Sequence, residues 1–214
     1  MFLRFQRVHI DDEQSIDNLT GMISKTMSFT GFNEDKQLII LCVGTDRSTG
    51  DSLGPLIGSE LKKANINATV IGDIHNPCHG SNLHSTIEDI NNNYDNPYII
   101  AIDSGLGKES SVGSIDCKKG KLQPGTGVNK KLPHVGDMHI GGLVNVGGYM
   151  EYMVLQSTRL SVVVKMAEII SESLLNAVGE VEKSVEIEEH HSRIDDQLKS
   201  LHKALKPAFE RFTI

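Results

Sequence analysis

No clustered excess of lysine and arginine marks this sequence: 214 residues carry 21 basic against 28 acidic side chains, a formal net charge of −7. Gripping a phosphate backbone needs a concentrated positive surface, so nucleic acid is excluded as a partner. Cysteine is scarce too. Cys42, Cys78 and Cys117 form no Cys-x-x-Cys pair, and three cannot all close into intramolecular disulfides, which fits free thiols in a reducing compartment. Long apolar runs are missing, since none approaches the ~20 residues that span a bilayer. In the opening MFLRFQRVHIDDEQ the apolar residues are interrupted and acids arrive by Asp11, so no secretory core forms. Together these absences predict a cytoplasmic protein without membrane contact. No internal repeat or low-complexity tract occurs.

What is present, 38% hydrophobic and 23% charged residues, suffices for one sizeable core with decorated ends. Between Asp11 and Phe29, Ile16, Leu19, Ile23 and Met27 recur at steps of three and four, which predicts a leading helix. Gln37 to Val43 is a continuous apolar run, the pattern of a strand covered on both faces. Leu53, Leu56, Ile57 and Leu61 then give a helix to Lys63, and Ala68 to Ile71 a second strand. A polar loop, Asp73 to Asn82, leads to a helix bearing Leu83, Ile87 and Ile90, and Pro97 to Asp103 reads as a third strand. Three strands joined by helical crossovers predict an α/β fold: a three-layer αβα sandwich on a mainly parallel, doubly wound sheet.

From Ser104 the pattern changes to glycine-rich turns around Val112–Cys117, then Pro124–Gly127, then an alternating stretch Met138–Val146. Such segments suit a β-hairpin or edge strands added to the parallel core. Met150 to Leu174 predicts a long buried helix or a helix pair broken near Ser157. The stretch from Gly179 is rich in Glu and Lys, with Ile187, Ile194, Leu198, Leu201 and Leu205 near helical spacing, an amphipathic appendage suited to docking on the body or on a second subunit of a homo-oligomer. Its His190-His191 pair belongs to a solvated face.

The chemistry centres on two acids. Asp51 lies in the loop after the first strand and Asp103 ends the third, so both belong at the strand carboxyl ends, where open α/β sheets bind ligands. Two carboxyls in a partly desolvated cleft can share a proton, one acting as base towards water and the other as acid. Asp51 equally suits an N-cap for the helix at Leu53. Asp46, earlier in the loop, reads as solvated. The loop has neither the Gly-Lys-Ser/Thr ending of a P-loop nor Rossmann glycine spacing. A second cluster, His75, Cys78, His79 and His84, sits on the loop after the second strand, overhanging the acids. His79 with Asp51 and Asp103 would make a carboxylate and imidazole set for Zn or Ni, although the spacing matches no zinc-finger pattern. The third feature, Pro124 to Pro133, either forms a tight β-connection or cradles a substrate with exposed N–H groups, Asn129 and Lys130. His134 and His139 beyond it read as structural.

The stretches GTDRSTGDSLGP, NPCHGSNL, YIIAIDSGLG and VGSIDCKKGKLQPGTGVNKKLPHVGDMHIGGLVNVGGYMEYMVLQSTRL resemble the YyaC-type sporulation proteins of spore-forming bacteria, relatives of the spore germination proteases. The resemblance runs from about Leu38 to Ile170. Germination proteases degrade small acid-soluble spore proteins with two aspartates, one in a Pro-Asp-Ala-Leu-Gly-Pro loop similar to Gly50–Pro55, the other in Ile-Asp-Ala, similar to Ile102–Ser104. The resemblance therefore implies Asp51 and Asp103 as the catalytic pair of a cytoplasmic endopeptidase acting on a protein or peptide. It implies His79, Gly125, Thr126, Gly127 and Asn129 as substrate contacts. No cofactor is required in that pattern. Hydrogenase maturation endopeptidases share the fold and bind nickel through two acids and a histidine. That alternative implies a divalent metal on Asp51, Asp103 and His79 or His134. A peptide-binding relative without turnover is the other alternative. This chain lacks the inserted segments of the germination proteases, and its glycine loop reads Gly-Val-Asn-Lys. The expected organisation is a helical extension over 1–36, a protease-like α/β domain over 37–178 and an acidic helical tail over 179–214.

Overall fold

The apolar run starting at Gln37 becomes the strand around which the sheet is laid. In the computed structural model, which describes residues 6–125, 132–181 and 183, the strands are β1 (Gln6–His9), β2 (Gln37–Cys42), β3 (Thr69–Ile71), β4 (Pro97–Gly107), β5 (Ser114–Lys119) and β6 (Met138–Val146). The helices are α1 (Ser15–Phe29), α2 (Leu53–Lys63), α3 (Leu83–Asn93), α4 (Glu151–Gln156) and α5 over 160–181, with 3-10 turns at Gly50–Ser52 and Glu109–Ser111. The six strands form one sheet in the order β1-β5-β6-β4-β2-β3. β3, β2, β4 and β6 pair in parallel, and β5 runs antiparallel to both β6 and β1. The α/β class and the mainly parallel sheet with further strands added to it are those expected; Met138–Val146 lies inside the sheet, between β5 and β4, and the added edge strand β1 comes from a segment expected to be helical.

Covered on both faces, β2 buries five of its six residues, which is why it reads as an unbroken apolar run rather than an alternating one. On one face a β-carbon added at Gly142 would meet Met166 Sδ at 2.2 Å and Leu53 Cδ2 at 2.4 Å, so α5 and α2 press directly on the sheet there. α1 joins this layer, with Thr20 Oγ1 donating to Ser173 O at 3.5 Å and Ser173 Oγ to Ile16 O at 3.2 Å. On the other face Ile39, Leu41, Val43, Ile99 and Ala101 pack against Leu83 and Ile90 of α3 and against Leu122 and Val135. Three layers result.

Two boundaries differ from the sequence expectation. Residues 1–36 are not a helical appendage: β1 is an edge strand of the sheet, and α1 buries Leu19, Ile23 and Met27 completely. One body accordingly spans Met1–Val178. β4 also continues past Asp103 to Gly107, because β6 keeps pairing with it through Ser104↔Gly142 to Gly107↔Val146, with a register shift at Gly105/Leu106. The helix pair after Met150 breaks at 157–159, near Ser157 as expected. The second unit, Gly179–Ile214, has only 179–181 and 183 described, all helical. Ile187, His190, His191, Ile194, Leu198, Leu201 and Leu205 lie outside the described residues. Among the described residues no helix is long and apolar enough to cross a membrane.

Candidate active site

From β2 the chain passes through α2 to β3 on one side, then through α3 to β4 on the other. β2 and β4 are thus neighbours whose connections leave in opposite directions, a topological switch point with a crevice at the strand carboxyl ends. β2 stops at Cys42, paired with Ile102, and β4 runs on, so Asp103 is the first β4 residue beyond the last β2 pair.

Backbone contact sets the height of Asp51 above this crevice. Gly44 has φ +148°, and a β-carbon there would lie 2.1 Å from the Asp51 carbonyl oxygen. Thr45 N–H donates to that same oxygen at 3.0 Å. At Gly54 a β-carbon would stand 2.1 Å from the Val43 carbonyl oxygen, so the first turn of α2 rests directly on the end of β2. Two glycines permit this approach, and the 3-10 turn carrying Asp51 is held down between them. Neither that turn nor α2 receives a side-chain cap. The Asp51 carboxyl is therefore available to the crevice.

Both acids are half-buried. Burial raises the Asp51 pKa, opposed by the Ser48 and Ser104 hydroxyls. Burial also raises Asp103, to about 8, and the Asp51 charge pushes in the same direction, while the Ser104 N–H, donating to Asp103 Oδ1 at 2.9 Å, opposes them. Ser48 Oγ and Ser104 Oγ are fully enclosed, yet neither closes a hydrogen bond of ordinary geometry. They stand beside the Asp51 carboxyl as close electrostatic neighbours rather than as formed bonds. Two acids in one desolvated crevice cannot both ionise readily, so one stays protonated near neutral pH.

The loop after β3 closes the crevice from the α3 side. Asp73 Oδ1 accepts His75 N–H at 2.7 Å and Asn76 N–H at 2.8 Å, while Lys62 Nζ meets Asp73 Oδ2 at 2.5 Å. The loop then pairs Cys78 with Val43 in an isolated parallel bridge. Cys78 is 2% exposed, and its thiol is pushed up, chiefly by burial and in part by the Asp103 charge, against a Thr86 hydrogen bond.

His79 follows immediately and is half-buried, its N–H donating to Asn82 Oδ1 at 2.7 Å and its Nδ1 3.0 Å from Ser81 Oγ. His75, His84, Asp46 and His134 are exposed. His139 Nδ1 lies 2.8 Å from the Gly120 carbonyl oxygen, a structural contact. Among the described residues no three His, Cys, Asp or Glu side chains gather as metal ligands would. Gly125 has φ +74° at a turn, and Thr126, Gly127, Asn129 and Lys130 lie outside the described residues. Ser48 and Ser104 had no distinguishing signal in the sequence beyond their nearness to the two aspartates.

A family described as "Protein of unknown function (DUF1256)" matches residues 7–173. The chain is 50% identical over 140 residues to "Uncharacterized protein YyaC" of Bacillus subtilis (strain 168), covering 65% of this chain and 68% of that one. Among solved structures it is similar to a [NiFe] hydrogenase maturation protease, HycI from Thermococcus kodakarensis KOD1, with a TM-score of 0.45 and 14% identity over 73% of this chain and 98% of that chain. The family match reaches from β1 into α5 and takes in both crevice aspartates, and the chain belongs to this DUF1256 family, with the YyaC type as its close kin.

Proposed function

We propose that this protein is a sporulation-associated endopeptidase in which Asp51 and Asp103 form the catalytic pair. The observation that carries the reading is the pair itself, two carboxyls at one switch-point crevice; burial, and then the Asp51 charge, push the Asp103 pKa up to about 8, which suits it to the acid's part. In the resting state Asp51 is the anion and Asp103 the acid. Asp51 takes a proton from water as the water oxygen bonds to the peptide carbonyl carbon, and Asp103 gives its proton to the amide nitrogen as the C–N bond breaks. One proton is gained and one lost, and transfer between the carboxyls restores the pair. Substrate is a polypeptide, with small acid-soluble spore proteins as the class to try first. His79 and the loop residues Gly125, Thr126, Gly127 and Asn129 are its proposed contacts.

The purified chain, incubated with small acid-soluble spore proteins, should yield discrete fragments. Asp51→Asn and Asp103→Asn should each slow cleavage by at least ~10²-fold, the scale of a lost general acid or base. Cleavage that survives both changes, or binding without fragments from the unaltered chain, overturns the reading. A parallel arm with a chelator, then with added nickel or zinc, separates metal-dependent cleavage from the paired-carboxyl route.

A further inference from the structure

We infer that the edge of β4 just beyond Asp103 is a strand-pairing site, along which an extended polypeptide lays its main chain in the place that β2 vacates. The inference deepens the endopeptidase reading by naming how substrate is held, and it rests on that reading for cleavage alone.

The edge follows from unequal strand lengths. β2 pairs with β4 from Gln37↔Pro97 to Cys42↔Ile102 and goes no further, whereas β4 keeps pairing with β6 to Gly107↔Val146. Among the described residues, 103–107 therefore have a strand neighbour on one side only. Main-chain groups point to alternate sides along a strand. Val43 N–H donates to the Ile102 carbonyl at 2.7 Å on the β2 side, and Gly147 N–H to the Gly107 carbonyl at 2.8 Å on the β6 side. Alternation between these two fixed points turns the main-chain groups of Ser104 and Leu106 towards the vacated side. The register shift leaves this order intact, because Gly105 and Leu106 are consecutive in β4 and the extra residue is Val144 of β6. Ser104 N–H is taken locally by Asp103 Oδ1 at 2.9 Å. The Ser104 carbonyl and both main-chain groups of Leu106 are left for the crevice, along a stretch that is half-buried rather than enclosed.

An open strand edge is a template for another strand, and proteins normally blunt one with charge, proline or a covering element. Ser104, Gly105, Leu106 and Gly107 supply neither charge nor proline. The occupant that fits is a single extended chain. The slot continues the β2 position, so a main chain in it lies about 4.8 Å from β4. On the far side, the segment that bridges Val43 at Cys78 runs on to His79. A second copy of the protein would bring a whole sheet with its edge strand, which such a gap does not admit. Pairing here tolerates many sequences, since its bonds are made to backbone. It also brings the peptide alongside Asp103, which opens the unpaired stretch, and alongside the turn whose Asp51 carbonyl rests against Gly44.

The test uses the full chain, in unaltered and Asp51→Asn forms, with a synthetic octapeptide from a small acid-soluble spore protein as probe. The Asp51→Asn form keeps turnover from consuming the probe. In the free protein the Leu106 amide should exchange with solvent deuterium faster than that of Gly105, which faces β6, and saturating peptide should slow Leu106 at least tenfold. N-methylation of the peptide, one amide at a time, should weaken binding about three- to tenfold at alternate positions, the worth of a lost hydrogen bond, and change little between them. Leu106→Pro removes a donor that the sheet does not use, so it should melt within a few degrees of the parent and lose the peptide. A bound peptide that leaves Leu106 exchange unchanged overturns the inference, as does an N-methyl series without alternation, and neither result needs the proline variant to fold. Failure of the peptide to bind overturns it too, as does Leu106 protection that rises with protein concentration alone, which would assign the edge to a second copy. Cleavage persisting beside any of these leaves the proposed function in place. Leu106 protection with alternating N-methyl losses, but no fragments from the unaltered chain, overturns the endopeptidase reading and leaves a peptide-binding edge.

Discussion

Asp103 holds a proton where an ordinary carboxyl has lost it, and that has a consequence for stability as well as chemistry. Its midpoint rises from 3.8 to about 8 on folding, so between these values the unfolded chain binds fewer protons than the folded one. Stability therefore falls as pH rises through that window, by on the order of a few kcal/mol in all, with the loss complete above about pH 8. Asp103→Asn keeps the shape and removes the ionisation. It should melt several degrees higher than the unaltered protein at pH 8 and nearly together with it at pH 4, read by thermal denaturation. The same proton should limit turnover: cleavage is expected to decline above about pH 8 as Asp103 loses its acid form. Both aspartates were legible in the sequence because each follows an apolar run that could only be a buried strand. The serines were not, since a serine in a polar loop and another beside an aspartate look like hundreds of turn residues, and only the fold brings Ser48 and Ser104 to one carboxyl.

Elements transmit that geometry. The first turn of α2 sits on the carbonyl oxygen of Val43, with space at Gly54 for a hydrogen and nothing larger. Gly54→Ala puts a methyl group against backbone, which cannot swing aside as a side chain could. The expected outcome is a loss of about 2 to 4 kcal/mol in denaturant unfolding, with the crevice distorted in whatever folds, since α2 must lift and carry Asp51 with it. The helices and the parallel strands were readable from periodicity, and the break after α4 from a polar interruption near Ser157. The end of β4 was not. Gly105 and Gly107 look like turn residues after Asp103, yet β6 supplies hydrogen-bond partners along this stretch and keeps it extended through a bulge. Strand ends set by a distant partner leave no local mark.

At the scale of the whole molecule, the N-terminal segment belongs to the body. Arg7 in β1 grips Asp116 in β5 with two bonds, Nε to Oδ1 at 2.6 Å and Nη2 to Oδ2 at 2.9 Å, and Asp116 is 7% exposed at its side chain. Arg7→Ala leaves this carboxylate to Lys118 and should cost about 2 kcal/mol at neutral pH, between the values for exposed and buried pairs. Despite the opposing effect of burial, its cations hold the Asp116 pKa below the usual range, so the stabilisation is present above that range and fades as pH falls through it, and the variant should converge on the parent in acid. Removing residues 1–36 should prevent folding, checked by loss of amide dispersion, because Leu19, Ile23 and Met27 would leave the α1–α5 layer open. Position in the chain made this segment look like an attachment. Its true place depends on contacts too remote for any local pattern to record.

That remoteness also orders the protein's birth. Arg7 and Asp116 are 109 residues apart, so β1 leaves the ribosome long before the strand that receives it. At roughly 5 to 20 residues per second the first strand waits about 5 to 20 seconds for its partner to be synthesised. During that interval β2, α2 and β3 can assemble the loop that carries Asp51, whereas β1 has no edge on which to dock. The crevice that carries Asp51 and Asp103 is begun early, and the N-terminal residues are among the last to take their places.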